Sequence, residues 1–313
     1  MPAKHLKQRQ SLQIPTIITA AAKVLEHISP KLLVHFAARL FTTPIKHQAP
    51  KRELEMDKKS IRSILHIPSI KKDIVVYHYG SSVRRVLLVH GWSGRATQLV
   101  KIADALLSVG FEVISFDAPA HGRSKGKTTL MPEFIACVLE IEKHFGPFEA
   151  AIGHSLGGMS LLNAAKGGLK VKSLVTIGSG NKVKDIFDEF VSQLKIHHRF
   201  SDLLRIHFES RYDATMESLS SYIAAKQIVI PALVIHDNDD IEVPVSASIA
   251  FSSGLKNGEL LLTNNLGHRK ILGDQAVIKK IISFVTKDRI YENDHDVVFG
   301  TVSIDGLSRT EKE

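Results

Sequence analysis

Residues 150–162 read Ala150-Ala151-Ile152-Gly153-His154-Ser155-Leu156-Gly157-Gly158-Met159-Ser160-Leu161-Leu162. A short apolar run ends on a glycine, a serine follows, and an apolar helical stretch begins behind a second pair of glycines. The pattern predicts a buried strand that turns sharply into a helix, with the Ser155 hydroxyl raised at the turn. Glycines flank it because side chains there would collide with the turn or with the neighbouring strand. The helix start offers unpaired N–H groups and a positive dipole end, which favour developing negative charge.

Outward from this turn, short β-branched runs alternate with helical stretches from residue 74 onward, the pattern of a largely parallel sheet covered on both faces. Strands are expected at Ile74 to Tyr79, Val86 to Val89, Val113 to Phe116, Ala150 to Ile152, Leu174 to Ile177, Leu233 to Ile235 and Leu260 to Leu262. The first two read as an antiparallel hairpin across Gly80-Ser81-Ser82. Helices are expected near 96–108, 132–145, 156–166, 245–252 and 274–286. Segment 181–226 separates two strands by far more than the usual connection of about 2 to 6 residues, so it reads as a helical insertion and a candidate lid.

The 313 residues suffice for one large α/β domain with a lid, and 44% hydrophobic with 23% charged residues is ordinary globular composition. Cys137 is the single cysteine, which excludes an intrachain disulfide and a multi-cysteine metal site and suits a reducing compartment, so a cytoplasmic location is expected. Charge is uneven: residues 1–72 hold 14 Lys and Arg against 4 Asp and Glu, while the remainder is near neutral. Within that basic segment, Ile17 to Ile28 and Leu32 to Phe41 read as two amphipathic helices broken at Ser29-Pro30. Lys23, Glu26 and Lys31 interrupt the apolar run well short of the roughly 20 residues a bilayer core requires. Residues 16–42 could lie on a membrane surface, but packing against their own domain is the expected role. Nucleic acid is not an expected partner, since no binding motif accompanies the charge. The domain reading is therefore a basic helical extension at 1–72, an α/β core at 73–180 and 227–287, the helical insertion at 181–226, and a polar tail at 288–313 with a short strand at Val297 to Val302.

A serine needs a base to take its proton and an acid to orient that base. Leu233-Val234-Ile235-His236-Asp237-Asn238-Asp239-Asp240-Ile241-Glu242-Val243-Pro244 is a strand running into acidic residues, and Asn264-Asn265-Leu266-Gly267-His268-Arg269 is a loop after the next strand. Ser155, an aspartate and His268, in that chain order at the carboxyl ends of strands, suit such an architecture. Asp237, Asp239 and Asp240 all stand near enough to supply the acid.

With His90-Gly91-Trp92 after one strand and Phe116-Asp117-Ala118-Pro119-Ala120-His121-Gly122-Arg123-Ser124 after the next, residues 74–287 resemble serine hydrolases of the α/β-hydrolase superfamily. The resemblance implies that fold, a Ser155, Asp240 and His268 triad with Asp239 as the second choice of acid, and an oxyanion hole from the backbone N–H groups of Trp92 and Leu156. It implies structural roles for His90, His121 and His154. Acyl transfer to water without a cofactor is the expected chemistry, on a small acyl ester, thioester or lipid ester. Perhydrolase-like or carbon–carbon hydrolysis at the same serine, and an inactive scaffold of the same fold, are the alternatives.

Other motifs carry less. The run from Gly122 to Thr128 resembles a phosphate loop but is one residue short between its glycines. Asp237-x-Asp239 resembles the start of a calcium loop, yet Glu242 stands where that loop needs glycine. No His-Glu-x-x-His pair supports a metal. Apolar residues of the insertion, Phe187, Phe190, Val191, Leu194, Phe200, Leu204 and Phe208 among them, suit either an acyl-site lining or the buried underside of a lid.

Overall fold

A computed structural model of the chain describes residues 14–211 and 215–287. Eight strands, β1 (Ile61–Ile67), β2 (Lys72–Tyr79), β3 (Arg85–Val89), β4 (Glu112–Asp117), β5 (Phe148–His154), β6 (Val171–Ile177), β7 (Ala232–Asp237) and β8 (Gly258–Thr263), form one sheet in the order β1-β2-β4-β3-β5-β6-β7-β8. The β1–β2 and β2–β4 pairs are antiparallel and every other pair is parallel. The seven strands expected between residues 74 and 262 are all present.

Alternation within the strands explains why both faces are covered. Leu87 and Val89 of β3 and Ala151 of β5 join one core layer, while Val86, Leu88, Ala150 and Ile152 join the opposite one. The first layer is closed by α5 (Met131–Phe145), α6 (Leu156–Lys166), α9 (Ser221–Ala225) and α10 (Ser246–Ser252), through residues such as Phe134, Val138, Leu161, Ala224 and Phe251. On the other side lie α4 (Val100–Ser108) and α12 (Gln275–Thr286), through Ile102, Leu106, Ile281 and Val285, and Cys137 is a buried residue of the first layer.

Two strand expectations need correction. Residues 43–63, part of the expected helical extension, hold a single 3-10 turn (Lys51–Glu53) and the short helix α3 (Leu54–Lys59), and β1 starts at Ile61. Ile61, Ile64 and Leu65 have helix-like spacing, but β1 is an edge strand that leaves Ile61 and Ile64 exposed and buries Leu65 and Ile67. The sheet thus begins before residue 73. The hairpin across Gly80-Ser81-Ser82 is also absent: β4 lies between β2 and β3. The link is bonded to the entry of β4 instead, with Ser82 Oγ donating to Gly110 O (2.9 Å) and Glu112 N–H donating to Arg84 O (2.8 Å).

The helices α1 (Thr16–Ile28) and α2 (Pro30–Phe41) form at the places expected, with Pro30 in the first turn of α2 and Ser29 Oγ accepting from Leu32 N–H. They pack on the insertion, whose main helices are α7 (Val183–Gln193) and α8 (Arg199–Glu209). Ala22, Leu33, Val34 and Ala37 meet Phe187, Val191, Phe200, Leu204 and Phe208 in a third apolar cluster, which reaches the domain at Met131 and Met159. Phe187, Phe200 and Phe208 of the insertion are therefore buried under the N-terminal helices, and Phe190 is partly buried. A short helix α11 (Gly267–Lys270) completes the helices named here. Among the described residues no helix is long and apolar enough to cross a membrane. The expected strand at Val297 to Val302 and the rest of the tail lie outside the described residues.

Candidate active site

The chain leaves β3 toward β4 on one side and β5 toward β6 on the other, so the loops after β3 and β5 diverge and open a crevice at the carboxyl edge of the sheet. Ser155 stands at that point, with φ 52° and ψ −118°. Such a conformation costs a non-glycine residue about 1–3 kcal/mol and persists only when its surroundings impose it. They do so here: Ser155 N–H donates to Ile177 O of β6 (2.8 Å), and Ser155 O accepts from Gly158 N–H (3.0 Å) and Met159 N–H (3.2 Å). A β-carbon at Gly157 would lie 2.3 Å from the Val89 carbonyl oxygen, and one at Gly153 would lie 2.6 Å from the Gly157 and Gly158 backbone. The glycines are steric necessities, as the sequence implies.

The imidazole and the acid come together. His268 Nδ1 lies 2.7 Å from Asp240 Oδ2, and both residues are buried. They sit beside Gly178, the residue after Ile177: a β-carbon there would stand 3.1 Å from His268 Nδ1 and 3.5 Å from Asp240 Oδ2. Since Ile177 O is what Ser155 N–H bonds, the serine and the Asp240–His268 pair flank the same end of β6. Asp240 Oδ1 accepts from Glu242 N–H (2.8 Å) and Val243 N–H (2.9 Å). Burial opposes the charge of Asp240, but hydrogen bonds from His236 and His268 outweigh it and hold the carboxyl well below the usual range.

The other two aspartates do different work from the solvation and helix capping that loop acids usually perform. Asp237 is fully buried and ties down the loop that carries His268, accepting from Gly267 N–H (2.9 Å), Leu266 N–H (3.1 Å) and Thr263 Oγ1 (2.7 Å). Asp239 accepts from Asn265 N–H of the same loop (2.7 Å).

His236 is the residue that sequence reading missed. Its ring is wholly buried, with Nε2 3.0 Å from Val243 O and 3.3 Å from Asp240 Oδ2, and Nδ1 2.6 Å from Ser248 Oγ. A carbonyl and a carboxylate on one side require a proton on Nε2. Two imidazoles thus address one carboxylate. The only signal in the sequence is a histidine four residues before Asp240, a spacing that means nothing until the loop folds back.

Near Ser155 the loop after β3 brings Gly91 so close that a β-carbon on it would lie 3.1 Å from Ser155 Cβ. Gly91 N–H donates to Gln98 Oε1 (3.1 Å) and Ser93 N–H to His121 Nε2 (3.0 Å), whereas among the described residues the Trp92 and Leu156 N–H groups donate to no other group. The three remaining histidines of these motifs are structural. His90 donates from Nδ1 to Gly91 O (2.7 Å) and accepts at Nε2 from Ala118 N–H (3.1 Å). His154 donates from Nε2 to the backbone oxygen of His268 (2.9 Å), and its ring lies 4.5 Å from that of His268. Burial pushes His90 down to about 4; burial and the neighbouring imidazole push His121 and His154 down to about 3. They are neutral at pH 7. The connector after α2 also touches this region, Ile45 N–H donating to Ser93 Oγ (3.0 Å) and Lys46 Nζ to Gly122 O (3.2 Å). A cavity of about 390 Å³ lies elsewhere, between α2, α8 and the loop before α5, where Arg39, Leu130, His207 and Phe208 line it.

Comparison with known proteins agrees with this architecture. Residues 84–218 match the family model described as the alpha/beta hydrolase fold. Among solved structures, a candidate lipase of Acinetobacter baumannii AYE is similar at 20% identity over 79% of this chain and 99% of that one, with a TM-score of 0.60. An esterase of Exiguobacterium antarcticum is similar at 17% identity over 72% and 100% of the two chains, TM-score 0.58. A monoacylglycerol lipase of Paleococcus ferrophilus is similar at 19% identity over 68% and 98%, TM-score 0.55. No curated protein matches the sequence.

Proposed function

We propose that this chain, whose residues 84–218 match the alpha/beta hydrolase fold model, is a serine hydrolase that cleaves a carboxylic ester, thioester or lipid ester through an acyl-enzyme. The observation that carries the reading is the 2.7 Å contact between His268 Nδ1 and Asp240 Oδ2 beside the β6 end that also holds the strained Ser155. With Nδ1 committed to the carboxylate, His268 Nε2 is the nitrogen left to act as base. It takes the Ser155 proton as Oγ attacks the substrate carbonyl. The tetrahedral oxyanion is received by the N–H groups of Trp92 and Leu156, a type of donor worth about 3 kcal/mol each. Collapse expels the alcohol or thiol, which leaves with the proton from His268, and a water activated by the same nitrogen then releases the acid and restores Ser155.

Asp240 keeps its charge throughout, since its neighbours hold it ionised. Its part is to fix the histidine tautomer and stabilise the imidazolium, while His236 and the Glu242 and Val243 N–H groups keep the carboxylate from rotating away. The insertion of α7 and α8 serves as the lid. A fluorophosphonate probe is expected to label the protein once, on Ser155, and Ser155→Ala to abolish labelling and lower p-nitrophenyl ester hydrolysis by roughly 10⁵–10⁶-fold. Wild-type protein that neither labels nor hydrolyses would overturn the reading in favour of a scaffold.

A further inference from the structure

The helix α1 is apolar on two sides, whose centres lie roughly 110° apart around its axis. One side, with Ile18, Ala22 and Leu25, packs into the third cluster. At the usual 100° per residue, Ile17, Ala20, Ala21, Val24 and Ile28 fall within about 100° of arc on another side, and all five are exposed. Ile17 is 79% exposed, Val24 57% and Ile28 68%, and Leu32 at the start of α2 is 56% exposed. A surface helix ordinarily carries one apolar stripe, turned inward, so a second row of aliphatic side chains facing water marks a surface that takes a partner.

The charges around the row point to which partner. Lys23 and His27 border it on α1, and Lys31, His35 and Arg39 follow at intervals of four on the exposed side of α2. Residues 1–52 contain nine Lys and Arg against a single acid, Glu26. That acid is spent locally: its carboxylate accepts from His197 N–H at 2.6 Å and lies 3.6 Å from Lys23 Nζ. A second copy of the chain on a two-fold axis would bring these cations against their own images, which disfavours self-association through the row. An anionic bilayer surface satisfies both features at once, with aliphatic side chains entering the acyl boundary and the cations meeting phosphate headgroups.

We propose that α1 and the start of α2 form a docking surface for an anionic lipid bilayer. The helix is already folded and anchored by its buried side, so docking requires no ordering of the segment. Because the same helices pack on α7 and α8, and the connector behind them bonds the Ser93 loop, a docked protein holds its insertion and the rim of the site close to the lipid surface. The proposal stands independently of the triad.

Flotation of the full chain with phosphatidylcholine vesicles, alone or mixed with phosphatidylglycerol, tests it. The wild-type protein is expected to float with the mixed vesicles and not with phosphatidylcholine alone, and to be released by high salt. Val24→Asp with Ile28→Asp is expected to weaken binding about tenfold or more, and Lys23→Glu with Lys31→Glu at least roughly fivefold. Both pairs lie at exposed positions, so melting temperature and soluble-ester hydrolysis should match the wild type. Wild-type protein that stays unbound to the mixed vesicles overturns the proposal, as does a Val24→Asp, Ile28→Asp variant that floats equally well. Sedimentation showing a wild-type dimer that the same variant dissolves would assign the row to a second copy and overturn it too.

Discussion

Around Ser155 position is imposed by polar groups and backbone; in the third cluster, where α1 and α2 meet α7 and α8, it is imposed by apolar volume. The first region spends donors and acceptors almost completely: Asp240 faces two imidazoles and two N–H groups, Asp237 takes two donors from the His268 loop and one from the end of β8, and Gly157 leaves no room for a methyl group. The second is held by side chains such as Phe41, which stacks on Phe187 at 5.0 Å between ring centroids and meets Phe190 edge-on at 5.1 Å. Directional bonds fix atoms to tenths of an ångström and fail when one partner is lost. Apolar packing tolerates exchanges of similar volume and fails gradually. The proposed catalytic centre needs the first kind of order, and the proposed lid is served by the second.

The contrast can be broken by substitution. Asp240→Asn leaves the shape intact but presents the wrong hydrogen-bonding face to His268, so kcat on p-nitrophenyl esters should fall by about 10⁴-fold while the folded signal in circular dichroism persists. In the other region Phe187→Ala should cost about 3–5 kcal/mol of stability, read by chemical denaturation, with fluorophosphonate labelling of Ser155 retained under native conditions. Loss of labelling there would mean that the two regions are not separable.

His236 sharpens the comparison further, since of Ser155, Asp240 and His268 it contacts Asp240. His236→Phe removes the second imidazole and should lower kcat/KM by up to about 10²-fold through misplacement of the acid. Gln can return a donor near the lost Nε2, so His236→Gln should recover most of that loss; equal damage from both variants would reduce His236 to a packing residue.

The last effect is on pH. His90, His121 and His154 are pushed from an ordinary 6.5 down to about 4, about 3 and about 3. Unfolding therefore takes up protons, and stability is full above pH 6.5 and lost as the pH falls toward the folded values, at about 1.4 kcal/mol per pH unit for each ring. Urea midpoints at pH 7 and pH 5 should differ accordingly. Equal midpoints would mean that these rings are not kept neutral by burial.

Much of this was legible beforehand. Val86 to Val89 and Leu233 to Ile235 declare themselves because strands buried on both faces are apolar throughout. By contrast, β1 escaped because an edge strand buries only part of one side, and its Ile61, Ile64 and Leu65 imitate a helix. The missing hairpin has a similar cause, for nothing in residues 80–84 says that β4 will enter between the strands they join.

At the site the division is the same. Local chemistry in the chain already determines the Ser155 turn, since the glycines and the strand before it leave few other conformations, and it determines that an aspartate and His268 follow at strand ends. Only folding decides that Asp240 faces His268 while Asp237 and Asp239 bind the loop, that His236 turns onto the same carboxylate, and that α1 shows aliphatic side chains on its outer side as well as its inner one. These are meetings between residues far apart in the chain, or across a loop that must first bend. Short-range periodicity carries no information about them, because which groups meet is set by packing of the whole sheet and its helices.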